Sequence, residues 1–337
     1  MRPSLLADVL RARYKKIRRP VFVVGKPGVG KTQIARQVAE SLGVQCQVIH
    51  VPTLQPEDCG LPVVNDKRDA IRFLVPGEKL PFENTSWEDE GILVLDELAQ
   101  ADNSLQKLMA NLMQERELHG YKLKPGWMII ATGNRSTDRA GANRILSHLS
   151  NRMTWYELEE HLEDWVQWAL SNGVPLELIQ FLRFKPSLLC AFDPHQDVNP
   201  TPRAWAEGVG KALGVVPPEA EFDTFRGDVG EGAASEFVAF LRVYRNLPDP
   251  DKVLANPDSY EPPKDDASVL YALCGAIAYR ANGENAVNVM KLARKLPAEF
   301  QVLLLKDAAT RNYEFASSKP FTDWAKTDGR RILVDHR

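Results

Sequence analysis

Eight consecutive residues, Gly25, Lys26, Pro27, Gly28, Val29, Gly30, Lys31 and Thr32, spell the pattern G-x-x-x-x-G-K-[ST]. Glycines at these positions let a loop wrap with its N–H groups turned inward onto phosphate oxygens. A lysine in the seventh place reaches the β- and γ-phosphates, and a threonine hydroxyl in the eighth ligates Mg²⁺. The next chemistry-bearing stretch is Ile92-Leu-Val-Leu-Asp96-Glu97, an apolar run that ends in two carboxylates. An acid at the end of such a strand completes the Mg²⁺ shell, which makes Asp96 the partner of Thr32. The following carboxylate polarises a water molecule for attack, so Glu97 is the candidate general base. The third stretch is Ala131-Thr132-Gly133-Asn134. A polar side chain there lies beside the two acids if the strands are parallel neighbours, and Asn134 then holds the water against the γ-phosphate. Alone, Asp96-Glu97 reads as a surface pair after a core strand and Gly133-Asn134 as a turn; the glycine-rich loop gives both a task.

These groups work only if a sheet brings them to one edge. Up to about residue 160 short β-rich runs alternate with helical patterns, the signature of a parallel sheet covered by helices. The strands are expected at Val21–Val24, Gln47–Val51, Ile92–Leu95, Met128–Ala131 and Thr154–Leu158. Their unbroken apolar character suits strands buried on both faces. Helices are expected at Thr32–Leu42, Asn103–Glu115 and roughly Ala142–Asn151, and hairpins at Pro62–Phe73 and Leu118–Lys124. Beyond residue 160 the pattern turns to helix and loop, with helices expected at His161–Leu170, 203–213, 233–246, 266–281, 285–295 and 297–311. The Pro- and Asp-rich stretch 247–265 reads as a long surface loop. The expected division is an α/β domain over residues 1–160 and a helical lid and C-terminal region over 161–337.

The order of glycine-rich loop, ILVLDE, ATGN, and an arginine closing a helix before a strand (Asn151-Arg152-Met153) resembles an AAA+ ATPase, a P-loop NTPase with a parallel sheet flanked by helices. The hairpin before ATGN (Glu115 to Gly120) and the insertion after Asp58 resemble the MoxR group of the dynein-related, midasin-like branch. The resemblance covers about residues 15–210. It implies a ring, usually a hexamer, with ATP and Mg²⁺ bound between subunits and an arginine from the neighbour completing each site; such a finger is worth ~10³–10⁵ in rate. Arg152 holds the matching position, with Arg139 and Arg144 as sequence rivals. Arg152 also reads as a cation satisfying a helix C-terminus. A further arginine, from the lid of the same subunit, is matched by Thr201-Pro202-Arg203: threonine as N-cap, proline in the first turn, then Arg203. For MoxR-like proteins the implied partner carries a von Willebrand factor A domain, and hydrolysis remodels or activates it.

Composition sets bounds around this. At 337 residues, 44 % hydrophobic and 26 % charged, the chain matches ordinary globular proteins. The start (MRPSLLADVLRARYKK) has Asp8 and Arg11 where a signal peptide needs apolar residues, and no apolar run approaches the ~18 residues of a membrane helix. Cys46, Cys59, Cys190 and Cys274 form no C-x-x-C pair. A cytoplasmic protein without a membrane partner is expected. The net charge of −3 gives no global field favouring nucleic acid. The basic run Arg11–Arg19 reads as a solvated helix face, although a nucleic-acid-dependent motor or loader would use it, with Lys122 and Lys124, for phosphate contacts. A nucleotide-gated scaffold that does not hydrolyse ATP is the other alternative. Trp165 and Trp168 read as core rather than base-stacking residues, and His50 as a framework histidine. His119 and Tyr121 are expected at a hairpin tip, exposed by the turn or gripping a partner chain.

Overall fold

An unbroken apolar strand points alternate side chains to opposite sides, so it needs cover on both faces. In the computed structural model, which describes residues 1–135, 150–263 and 266–327, the strands are β1 (Val21–Val24), β2 (Gln45–His50), β3 (Leu61–Val64), β4 (Ile71–Leu74), β5 (Glu90–Asp96), β6 (Glu117–Leu118), β7 (Tyr121–Lys122), β8 (Gly126–Gly133) and β9 (Thr154–Glu157). Five of them form one parallel sheet in the order β2-β5-β8-β1-β9. The pairs β3/β4 and β6/β7 are antiparallel hairpins at the two places expected. Strand β2 is shifted from the expected 47–51, because Gln45 pairs with Gly91 while Val51 and Pro52 turn into a 3₁₀ turn.

The two faces separate by parity. Ile92 and Val94 of β5 pack with Val21, Val23, Met128 and Ile130 beneath helices α1 (Pro3–Arg13) and α2 (Lys31–Leu42), which contribute Leu6, Leu10, Ile34, Ala35 and Val38. Leu93 and Leu95 pack on the other side with Phe22, Ile129 and Ala131 beneath α3 (Asn103–Glu115), which contributes Leu105, Met109, Leu112 and Met113. Each buried side chain of this size contributes roughly 1.5–3 kcal/mol relative to exposure. Helix α2 starts at Gly30 and stops at Gly43, both left-handed, a conformation glycine adopts without steric cost.

The chain divides into two units: residues 1–165 with 192–203, and 166–191 with the chain from 204 onward. Segment 192–203, carrying Thr201 and Arg203, thus groups with the sheet. The second unit is helical. Phe181, Trp205, Phe237 and Phe240 form an aromatic centre, with Phe181 and Phe237 ring centroids 5.0 Å apart. Helices Ala267–Arg280, Ala286–Ala293 and Ala298–Arg311 surround a second apolar cluster. Arg183 and Asp307 form a bidentate pair inside the unit, Nη2 to Oδ1 at 2.9 Å, both nearly fully buried.

Several expectations are corrected. The stretch 247–265 is not a continuous loop: Asp249 caps a short helix, Pro250–Ala255, whose Val253 and Leu254 are buried. The expected helix 203–213 opens at Pro202 and widens into a π-helical turn, Ala204–Val209, that buries Trp205. Helices Leu176–Phe184, Glu221–Val229, Tyr313–Ser317 and Lys319–Lys326 were not anticipated. The expected helix at 142–151 falls largely outside the described residues, as do Arg139 and Arg144. Among the described residues no helix is long and apolar enough to cross a membrane.

Candidate functional site

Strand register decides what meets at the sheet's carboxyl edge, where open parallel sheets place their ligand sites. Val24 pairs with Gly133, Leu95 with Ala131 and His50 with Asp96, so the ends of β1, β2, β5 and β8 lie side by side. The loop Gly25–Gly30 leaves β1 at that edge and opens α2. Gly28 and Gly30 have φ of +73° and +98°, a backbone that side chains disfavour. A Cβ on Gly25 would lie 2.6 Å from the Leu158 carbonyl, and one on Gly28 would lie 2.6 Å from Thr201 Oγ1. Glycine is therefore required by curvature at Gly28 and Gly30 and by close approach at Gly25 and Gly28.

Lys31 is buried, and its ammonium donates to Gly25 O, Lys26 O and Asn134 Oδ1, each at 2.9 Å. Thr32 Oγ1 donates to Asp96 Oδ1 at 2.5 Å. The structure thus brings together four residues taken from three separate motifs. Glu97 follows Asp96 with φ +57°, a left-handed conformation uncommon for a non-glycine residue and costly by about 1–3 kcal/mol. Its carboxylate is 37 % exposed against 18 % for Asp96. The aspartate is enclosed by hydroxyls while the glutamate faces solvent, the difference expected between a residue that holds a cation and one that meets water. Lys26, Pro27 and Val29 complete the loop, and Lys26 pairs with Glu160.

Two neighbours of Asp96 and Glu97 escaped sequence reasoning. Thr132, fully buried, donates to Asp96 Oδ1 at 2.6 Å and accepts the Glu97 N–H at 3.0 Å. His50 places Nε2 3.2 Å from Glu97 Oε2 and Nδ1 3.6 Å from Asp96 Oδ2. The framework histidine thus sits beside both acids. The ATGN motif and the end of β2 were visible in sequence, but only register reveals these contacts.

Arg203 approaches the loop through its backbone, N–H to Gly28 O at 3.3 Å, and its side chain is exposed. Thr201 packs over Gly28. Arg152 lies on an exposed turn between Ser150 and β9, apart from these contacts. His119 and Tyr121 are engaged within the chain: the His119 ring stacks on Phe73 at 4.0 Å and Tyr121 Oη donates to Phe73 O at 3.0 Å. Lys124 is buried against Trp87 O and Asp89, and in the basic run Arg13 is buried while Lys15 pairs with Glu90.

The donor set suits Mg²⁺. Thr32 and Asp96 present hard oxygens, and among the described residues no cluster of three or more His, Cys, Asp or Glu forms a full protein cage. Mg²⁺ in nucleotide sites is held in this way, by one or two protein oxygens with phosphates and water supplying the rest.

Residues 20–153 match the family model of the AAA domain of the dynein-related subfamily. By structure, the chain is similar to two RuvB variants from Thermotoga maritima. Both are 16 % identical, cover 81 % of this chain and 79 % of that chain, and have TM-scores of 0.39 and 0.41. A presumed ATPase from Cytophaga hutchinsonii is similar at 14 % identity and TM-score 0.35, covering 96 % of this chain and 79 % of that one. No curated protein matches in sequence.

Proposed function

We propose that this chain is a Mg²⁺-dependent ATP hydrolase of the MoxR-like group. The observation that supports this most is the joined constellation at one sheet edge: Thr32 on Asp96 at 2.5 Å and Lys31 on Asn134 at 2.9 Å. The loop N–H groups and Lys31 hold the β- and γ-phosphates, with Lys31 exchanging its carbonyl partners for phosphate oxygens. Thr32 and Asp96 would hold Mg²⁺, which would supply neutralisation of the phosphate charge. Glu97 takes a proton from the attacking water, and Asn134 orients that water. Arg203 stabilises the γ-phosphate from the same subunit; its backbone contact with Gly28 supports this placement.

The assembly we propose is a homo-oligomeric ring, hexameric by family resemblance, in which Arg152 reaches the neighbouring subunit's ATP. Its position on an exposed turn accords with that role. The work done is remodelling or activation of a protein partner, with a von Willebrand factor A domain as the partner class the resemblance implies. Four free cysteines suit a reducing cytoplasm. The nucleic-acid alternative loses much of its sequence basis, because Arg13, Lys15, Arg19 and Lys124 are engaged within the chain.

Phosphate release with Mg²⁺ and with the metal chelated tests the reading. The wild-type chain should turn over ATP only with the metal, and Lys31→Ala should lose binding and turnover together. Metal-independent turnover, or an unaffected Lys31→Ala, contradicts the proposal.

A further inference from the structure

The run of cations before β1 is exposed except at Arg13, and it continues past the end of α1 at that residue. Arg13 is buried and donates through Nη2 to Arg19 O at 3.0 Å and to Thr154 Oγ1 at 3.2 Å. Arg19 in turn directs one guanidinium nitrogen, Nη2, at two carbonyls: Asn151 O at 2.6 Å and Met153 O at 3.2 Å. Those are the carbonyls on either side of Arg152. The same turn is held elsewhere as well. Trp155 Nε1 donates to Ser150 O at 2.9 Å while its ring packs edge-on against Phe22 at 4.4 Å, and Thr154 N–H donates to Pro20 O at 2.9 Å. The backbone around Arg152 is therefore pinned on both sides, and the Arg152 side chain is left exposed.

We infer that Arg19 is a positioning residue that presents Arg152 to the neighbouring subunit's ATP; this rests on the assignment of Arg152 as the trans-acting arginine. A charge-stabilising arginine acts through position. A misplacement of about 1 Å in such a group costs on the order of 10²-fold in rate, so a turn that wanders by that much forfeits most of a finger's value. A guanidinium suits the clamping task because it is permanently charged, planar and able to donate to several acceptors in fixed directions. A side chain that only fastened β9 to β1 would be redundant here, because those strands already share a parallel ladder from Val21–Thr154 to Val24–Glu157. The bond to Asn151 O lies beyond that ladder, on the far side of Arg152.

The test measures ATP turnover and ATP affinity of the full-length Arg19→Ala, Arg19→Lys, Arg18→Ala and Arg152→Ala proteins, each alone and mixed with Glu97→Gln subunits. Arg19→Ala should lower kcat by about 10- to 100-fold while ATP affinity and KM stay at wild-type values. Mixing should restore part of its turnover, because its own phosphate site is intact and the Glu97→Gln neighbour supplies a sound Arg152. Arg19→Lys should recover part of the loss, and Arg18→Ala, which removes the same charge one residue away, should match wild type. If Arg152→Ala is impaired and rescued by mixing while Arg19→Ala turns over normally, Arg19 does not position the finger and the Arg152 assignment stands. If Arg19→Ala loses ATP affinity together with kcat and mixing restores nothing, Arg19 is a fold fastener and the inference fails. Normal turnover in Arg152→Ala overturns the assignment of the finger and this inference with it.

Discussion

The Thr132 hydroxyl donates to Asp96 Oδ1 at 2.6 Å, the oxygen that Thr32 Oγ1 also approaches, at 2.5 Å. It also accepts the Glu97 N–H at 3.0 Å, so one buried hydroxyl sets the orientation of the aspartate and of the strained residue after it. Thr132→Val conserves shape but leaves that N–H without its acceptor, at a cost of about 1–3 kcal/mol. Turnover should fall by roughly 5- to 100-fold with ATP affinity retained, and Thr132→Ser should keep most activity. Steady-state kinetics beside nucleotide titration makes the comparison.

His50 holds Glu97 from the edge strand, Nε2 to Oε2 at 3.2 Å, and competes with water for that carboxylate. A solvent-exposed contact of this kind is worth about 0–1 kcal/mol. His50→Ala should therefore raise basal turnover several-fold without changing ATP affinity. A fall in turnover would instead make His50 an orienting partner of the base.

In the second unit, Asp307 neutralises buried Arg183. Breaking such a pair by removing one partner leaves an uncompensated buried charge, at a cost of about 3–5 kcal/mol. Asp307→Ala should lower the denaturation midpoint strongly. The double change Arg183→Met with Asp307→Leu should recover much of that loss, and additive losses would contradict the pairing argument.

Asp266 caps the helix Ala267–Arg280, and the Ser268 hydroxyl with the Val269 and Ser268 N–H groups holds its carboxyl below the usual range. A lowered folded pKa means that the stabilisation is present above the unfolded value of about 3.9 and is lost as pH falls through the folded value. Asp266→Ala should thus lower stability by about 0.5–2 kcal/mol at neutral pH. In chemical denaturation the gap between variant and wild type should close in acid; a gap independent of pH would show that the carboxylate's charge is not involved.

The sheet was legible because its strands are unbroken apolar runs, and the phosphate loop because curvature demands glycine at fixed spacing. What escaped sequence reasoning depends on register or on distant carbonyls. Nothing local marks His50 as the neighbour of Asp96 until β2 pairs with β5, or Thr132 as its partner until β8 pairs with β5. Arg19 is exposed, as a basic run suggests, but its bonds go to backbone oxygens more than 130 residues away, which leave no trace in residue type. His119 found its partner, Phe73, on the other inserted hairpin. In the helical unit, long helices showed apolar spacing, whereas the short helix Pro250–Ala255, opening at a proline, lies in a stretch that read as loop.

The central claim is that Glu97 activates water beside an intact phosphate and Mg²⁺ site, and Glu97→Gln tests it most directly. Binding of ATP and single-turnover hydrolysis are measured on the same preparation. The expected result is wild-type ATP affinity with hydrolysis slowed by at least about 10²-fold, the size of a general-base contribution. Hydrolysis at the wild-type rate in Glu97→Gln, or a wild-type chain that does not bind ATP, would contradict it.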